Sequence, residues 1–409
     1  MPREETMKTF SLPRFPRMVA RDPREQHRVA SSLELFFDLV FVIAVSQASQ
    51  ALHLELTTGD PGHAVVSYLM VFFAIWWAWM NFTWFASAFD TDDWLYRVTT
   101  IVQMGGVLVL AAGVSDAMLD GEWDTVTWGY VIMRLAMVSQ WVRVAISDPS
   151  QRAAAVRYAS GIAAVQCVWL LRLNLPPEAQ LWSFWGAVVL ELLVPVWAER
   201  RRETPWHPRH IAERFSLFVL ILLGESLLAS ANAIFDAAAG GRRTPEIVAL
   251  SIVALVLAAG VWWIYFSTQS VKLLRDRRSG LVFGYAHYFL FAAVGALSAG
   301  IETELDLLTG KVAASESILV SFALAIPVGV YMIVAWVILL RRSLPWFGSV
   351  LFLLFAATAL LSAVLPTATV LTCAVSIALA VVALELFQGT DAAGARERSV
   401  DAFGLPREA

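Results

Sequence analysis

Residues 246–268 read EIVALSIVALVLAAGVWWIYFST, and after Glu246 no charged side chain interrupts the next 22 positions. A helix of about 20 such residues crosses a ~30 Å hydrocarbon core. A strand of a membrane barrel would instead alternate apolar and polar side chains over ~10 residues. Stretches of the same kind recur in both directions from this one. The sequence predicts spans at 33–52, 64–88, 95–118, 123–146, 153–172 and 179–198, then at 210–235, 246–268, 279–300, 315–339, 344–364 and 367–388. Only Leu365 and Pro366 divide the last two, and the proline breaks the helix by removing a donor and clashing with the preceding turn. Of 409 residues, 58% are apolar and 16% charged, where soluble domains carry about a quarter charged. The expected fold is all-α and polytopic, with about twelve transmembrane helices.

Twelve spans place both termini on one side of a membrane, and the cations say which side. With the N-terminus in the cytoplasm, 25 of the 30 Lys and Arg residues fall in cytoplasmic segments. Only Arg172, Arg242, Arg243 and Lys311 lie opposite, and Arg134 lies within the fourth span. That asymmetry matches the positive-inside rule. The chain divides into a basic tail (1–30), a first six-helix unit (31–198), a cytoplasmic joint (199–210), a second unit (211–388) and a short tail (389–409). Cys167 and Cys373 both sit in apolar segments and read as packing residues. Residues 1–30 lack the apolar core of a secretory signal. Arginine outnumbers lysine 27 to 3, the bias of a GC-rich bacterial genome.

The two units answer each other. Glu34-Leu35-Phe36 corresponds to Glu213-Arg214-Phe215, and Trp76-Trp77 to Trp262-Trp263. Leu110-Ala111-Ala112-Gly113 corresponds to Leu297-Ser298-Ala299-Gly300, and Leu190-Glu191-Leu192 to Leu384-Glu385-Leu386. The offsets are 179, 186, 187 and 194, always increasing, as small loop insertions would produce. Six helices per copy is an even number, so the expected repeats are parallel, related by an axis along the membrane normal.

An ionisable group inside a membrane helix needs a partner or water. Glu34 and Asp38 share one face of the first span, being four residues apart. Both could instead sit at the interface and pair with a cation such as Arg28. Glu225 lies at mid-depth of the seventh span, within Gly224-Glu225-Ser226, where Gly224 would admit a neighbouring backbone. Arg214 is eleven residues earlier, about 16 Å along the axis, too far to pair with Glu225. Arg134 is the expected counter-charge. Glu191 precedes Pro195 by four residues, so the proline leaves its carbonyl without a helical donor. His287, inside the ninth span, could titrate near neutral pH or serve as a hydrogen-bonded packing residue. A metal site at His207 and His210 is not expected, since no acidic or cysteine residue stands beside them in the loop. The tryptophans at 76, 77, 79, 84, 262 and 263 suit interfacial belts or packing. No phosphate loop, zinc-protease helix or nucleophile elbow is present, so neither an enzyme, a cofactor nor a nucleic-acid partner is expected.

The run Leu33-Glu34-Leu35-Phe36-Phe37-Asp38-Leu39-Val40-Phe41-Val42 resembles the bacterial low temperature requirement protein A family. So does the block of His210, Glu213, Arg214, Leu217 and Phe218 followed by Leu223-Gly224-Glu225-Ser226. The resemblance implies a multi-pass protein of the bacterial plasma membrane and says little about mechanism. The leading expectation is a secondary transporter or ion-translocating protein, in which Glu225 and Asp38 bind a proton or cation alongside a small-molecule substrate. A channel, or a structural or signalling protein whose buried charges specify helix pairing, are the alternatives.

Overall fold

Four helices start on side chains that satisfy their free N–H groups. Ser31 opens the first with a reciprocal cap: its hydroxyl accepts from the Glu34 N–H, and the Glu34 carboxylate accepts from the Ser31 N–H at 2.7 Å. Asp60, Asp93 and Asp276 cap three others. The structure, a computed structural model, describes residues 17–23, 25, 28–239, 245–268, 270–274 and 276–398. The remaining parts of the two tails, and the loop cations Arg242 and Arg243, lie outside the described residues.

The helices are α1 (Ser32–Thr58), α2 (Pro61–Phe89), α3 (Trp94–Ala112), α4 (Asp124–Ser147), α5 (Arg152–Arg172), α6 (Pro177–Ala198), α7 (Pro208–Ala239), α8 (Pro245–Phe266), α9 (Arg277–Gly295), α10 (Leu297–Thr309), α11 (Ser317–Ala335), α12 (Trp346–Leu361) and α13 (Thr369–Arg398). No strand occurs among the described residues. Eleven helical segments there are long and apolar enough to cross a membrane, with α9 and α10 forming one of them across a break. Helix α4 has the length, 24 residues, but falls outside that set; it carries Arg134, Gln140 and Arg143. The protein is an all-α polytopic membrane protein.

Two breaks matter. Around Pro366 the chain leaves α12 at Leu361 and enters α13 only at Thr369, whose hydroxyl donates to the Ser362 carbonyl at 2.7 Å. At Ala296, the ninth span is interrupted for one residue, and Tyr68 of α2 donates to the Ala292 carbonyl one turn earlier at 2.8 Å. Gly295 is needed there, because a Cβ would come within 2.8 Å of the Tyr68 hydroxyl. The expected end of this span at residue 300 is therefore corrected: the helix resumes as α10 and runs to Thr309. That extension carries Glu302, Glu304 and Asp306 into the bundle.

Helix α1 is amphipathic in the inverse sense of a soluble helix. Phe36 and Leu39 are 54% and 58% exposed, while Glu34 and Asp38 are fully buried. Its polar face meets α7 and α10, which also touch each other. The three helices α1, α7 and α10 thus enclose a common seam. Helix α2 lies beside α1 as the most enclosed span, with 78% of its apolar window buried.

The α2–α3 turn is tied by Asp93. One oxygen accepts from the Leu95 and Tyr96 N–H groups at 3.0 and 3.1 Å, and the other pairs with Arg143 and Thr91. Burial acts to raise the Asp93 carboxyl, but the Arg143 guanidinium, Thr91 and the α3 amides outweigh it and hold it below the usual range. A depressed folded-state value stabilises above the unfolded pKa and is lost as pH falls through the folded one. Asp93→Ala is therefore expected to cost about 1 kcal/mol at neutral pH. Unfolding measured down a pH series should find that difference vanishing below the carboxylate range.

Candidate functional site

At the arginine-rich end of the seam the first acidic pair is locked. Arg214 of α7 forks onto Asp38, with Nη2 to Oδ1 at 2.6 Å and Nε to Oδ2 at 3.1 Å. Its Nη1 lies 3.0 Å from Glu34 Oε1. The Trp79 indole donates to Asp38 at 2.7 Å, and His210 Nε2 stands 3.0 Å from Glu34. Arg28 bridges Glu34 and Asp90, each at 3.4 Å. Glu34, Asp38, His210 and Arg214 are wholly buried. The Glu34–Arg28 pair expected from the sequence is present, but the stronger partner is Arg214. His210 lies in the first turn of α7 rather than in a loop, and no metal-holding cluster exists among the described residues.

A second cluster saturates Glu191 of α6. Its Oε2 accepts from Arg134 at 2.8 Å and from Trp77 at 2.9 Å. Its Oε1 accepts from Tyr130 at 2.8 Å, Gln166 at 3.1 Å and Trp169 at 3.3 Å. Five donors from α2, α4 and α5 fill the lone pairs of one carboxylate. The expectation that Arg134 neutralises Glu225 is thus corrected: Arg134 belongs to Glu191. Asp38, Arg134 and Glu225 do not converge on one cavity. Glu191 is a fixed structural acceptor, so the carbonyl freed by Pro195 stands beside a carboxylate with no free lone pair for a cation.

Glu225 is different. It is 4% exposed, and neither carboxylate oxygen makes a well-formed hydrogen bond among the described residues, although the Ser46 hydroxyl lies close enough to interact. Its neighbour Ser226 donates to the Val294 carbonyl at 3.2 Å, tying α7 to the end of α9. Beyond Glu225, toward Lys311, the seam stays polar. Ser49 and Ser298 hydrogen-bond at 2.5 Å between α1 and α10. His53 of α1 reaches Asp306 at 2.9 Å and Glu302 at 3.4 Å. Lys311 closes on Asp306 at 3.0 Å from an exposed position. Glu302 lies within electrostatic range of Glu225, Asp306 and His53. In the other direction Phe41, Val45, Phe218 and Leu222, all fully buried, separate Glu225 from the Arg214 lock.

The profile of bacterial low temperature requirement A protein (LtrA) matches residues 29–383. The chain belongs to that family. An uncharacterised protein of Rhizobium meliloti (strain 1021) is 29% identical over 247 residues, which cover 58% of each chain. The match thus spans less than two thirds of that relative's length. In this LtrA-family chain the two blocks that carry the resemblance meet in space: Glu34 and Asp38 of the first are held by His210 and Arg214 of the second.

The remaining candidates stand apart from the seam. His287 is wholly buried among Phe215, Phe283 and Phe291. Its Nδ1 donates to the Phe283 carbonyl at 2.6 Å, which leaves Nε2 to accept from the Tyr265 hydroxyl at 3.1 Å. It is a packing residue between α8 and α9. Gly224 is corrected as well, since a Cβ there would meet nothing within 4 Å. Trp76, Trp77 and Trp79 lie in the core, while Trp262 and Trp263 are half exposed. Glu302 and Asp306 escaped the sequence reading because the span seemed to end at residue 300. Their four-residue spacing, interleaved with Leu305 and Leu308, was the available signal. Glu304 projects from the opposite side of α10, where its Oε1 is buried without a partner among the described residues.

Proposed function

We propose that this LtrA-family protein is a secondary transporter or related ion-translocating protein that moves a proton or small cation, with Glu225 as the mid-membrane binding group. One observation carries the reading: among the described residues Glu225 is a buried carboxylate without a fixed ionic partner, whereas Glu34, Asp38 and Glu191 are each neutralised by arginine. A carboxylate in a low-dielectric interior is costly unless protonated or bound to a cation, so Glu225 is poised to hold one. Glu302, His53 and Asp306 give it a polar route to the Lys311 end. The buried apolar side chains of Phe41, Val45, Phe218 and Leu222 and the Arg214 lock close the other end, so the polar path from Glu225 runs toward one side.

We place the arginine-rich end, and both termini, in the cytoplasm of a bacterial plasma membrane, on the distribution of cations. Parallel six-helix repeats are supported by matching contacts. Trp77 donates to Glu191 between α2 and α6 at 2.9 Å, and Trp263 donates to Glu385 between α8 and α13 at 2.7 Å. Gly113 abuts α4 as Gly300 abuts α11. Access to Glu225 from the second side would then come from rocking one unit against the other. Translocation is favoured over catalysis because the unpaired acid lies at mid-depth.

The test is flux in proteoliposomes under an imposed pH or cation gradient. Glu225→Gln, isosteric and neutral, is expected to reduce flux to the level of protein-free vesicles while keeping the wild-type elution profile and unfolding temperature. Wild-type flux in a folded Glu225→Gln protein would remove Glu225 from the pathway.

A further inference from the structure

A groove of about 470 Å³ opens between the start of α9 and the end of α11, at the arginine-rich end of the molecule. Arg278, Arg341 and Arg342 line its mouth, and Val282, Ala286 and Val337 line its wall. All three arginines are exposed, and none forms an ion pair among the described residues. The one acid at the mouth, Asp276, is committed to capping α9, accepting from the Ser279 N–H at 2.7 Å. Three cations facing one occupied carboxylate leave a net positive rim.

The wall is apolar and turned outward. Val282 is 59% exposed and Val337 is 39% exposed, as side chains in contact with acyl chains would be. The depth of the rim is set by its neighbours. Trp346 and Phe347, at the start of α12 just after Arg342, are 78% and 54% exposed. Aromatic rings at such positions mark the headgroup level of a bilayer. Arg341 also follows a five-residue π turn, Trp336–Leu340, which its own N–H closes on the Trp336 carbonyl at 2.9 Å. Single π turns of this kind recur at functional sites.

We propose that this groove is a binding site for an anionic phospholipid, the phosphate held by Arg278, Arg341 and Arg342 and an acyl chain laid along Val282, Ala286 and Val337. Guanidinium groups suit a phosphodiester because their planar forks donate to two oxygens at once. The apolar wall selects a lipid over a free phosphate ion. The site is independent of Glu225 and of the ion route, which lie in the α1–α7–α10 seam and share no residue with the groove.

Native mass spectrometry of the purified full-length protein tests it, with phosphatidylglycerol titrated against phosphatidylcholine. The wild type is expected to retain phosphatidylglycerol preferentially. The triple variant Arg278→Gln, Arg341→Gln, Arg342→Gln should bind it about 100-fold more weakly, from the attraction each surface arginine adds. Arg200→Gln, Arg201→Gln, Arg202→Gln removes the same charge from exposed positions at the same end and should leave the affinity unchanged. Equal loss in both triple variants would reduce the effect to general charge attraction and overturn the site. Retained binding in the first triple variant would overturn it too. Displacement of the lipid by millimolar inorganic phosphate would make it an ion site and sink the lipid proposal.

Discussion

Arg214→Met is expected to cost about 3–5 kcal/mol, the usual penalty for removing one partner of a buried ion pair. The reason is the number of charges left behind. Asp38 loses its bidentate partner and keeps only the Trp79 indole, while Glu34 keeps Arg28 at 3.4 Å and His210 at 3.0 Å. Arg214→Lys should not rescue, because an ammonium is a point charge and cannot fork onto Asp38 while also reaching Glu34. Arg214→Met combined with Asp38→Asn should recover part of the loss, since the two substitutions remove opposite ends of one interaction. Unfolding temperature in detergent, followed by aggregation on a sizing column, reads all three. A stable Arg214→Met protein would mean that water reaches Asp38 and that the lock is no barrier.

The lock also shows where sequence reasoning stopped. The spans themselves were legible, because lipid demands long apolar helices and Pro366 could only interrupt one. That Glu34 and Asp38 share one polar face of an apolar helix was legible, though the interface and the interior both remained open to them. Their partner was not: Arg214 is 176 residues from Asp38, and no local pattern announces a contact between α1 and α7. Distance along the axis correctly excluded an Arg214–Glu225 pair, yet it left Arg134 as an arginine in search of an acid. Glu191 claimed it, for a reason visible only in three dimensions, namely that α2, α4 and α5 all aim donors at one point of α6. The acids of α10 were hidden differently. The acids come just after the break at Ala296, and a hydropathy window takes acids that follow an apolar run as the end of a span.

Glu191→Ala is expected to be the most damaging single substitution outside the seam, at or above about 5 kcal/mol. It strands the Arg134 guanidinium, which is 1% exposed, and at the same time deprives Trp77, Tyr130, Gln166 and Trp169 of their shared acceptor. Arg134→Met with Glu191→Leu should be far milder, because the uncompensated charge is gone and the volume is roughly kept. It should still fall short of wild type, since one hydroxyl, one amide and two indoles remain unpaired in the core. The flux of that double variant separates the two kinds of buried acid in this protein. A carboxylate already accepting five hydrogen bonds cannot take up a passing cation without breaking several of them, whereas Glu225 has at most the loose Ser46 contact to give up among the described residues. Equal amounts of folded double variant and wild type in proteoliposomes should therefore conduct equally. A flux that collapses with the Arg134–Glu191 pair intact in neither partner, while Glu225 is untouched, would move the ion route from the α1–α7–α10 seam to the first half of the bundle.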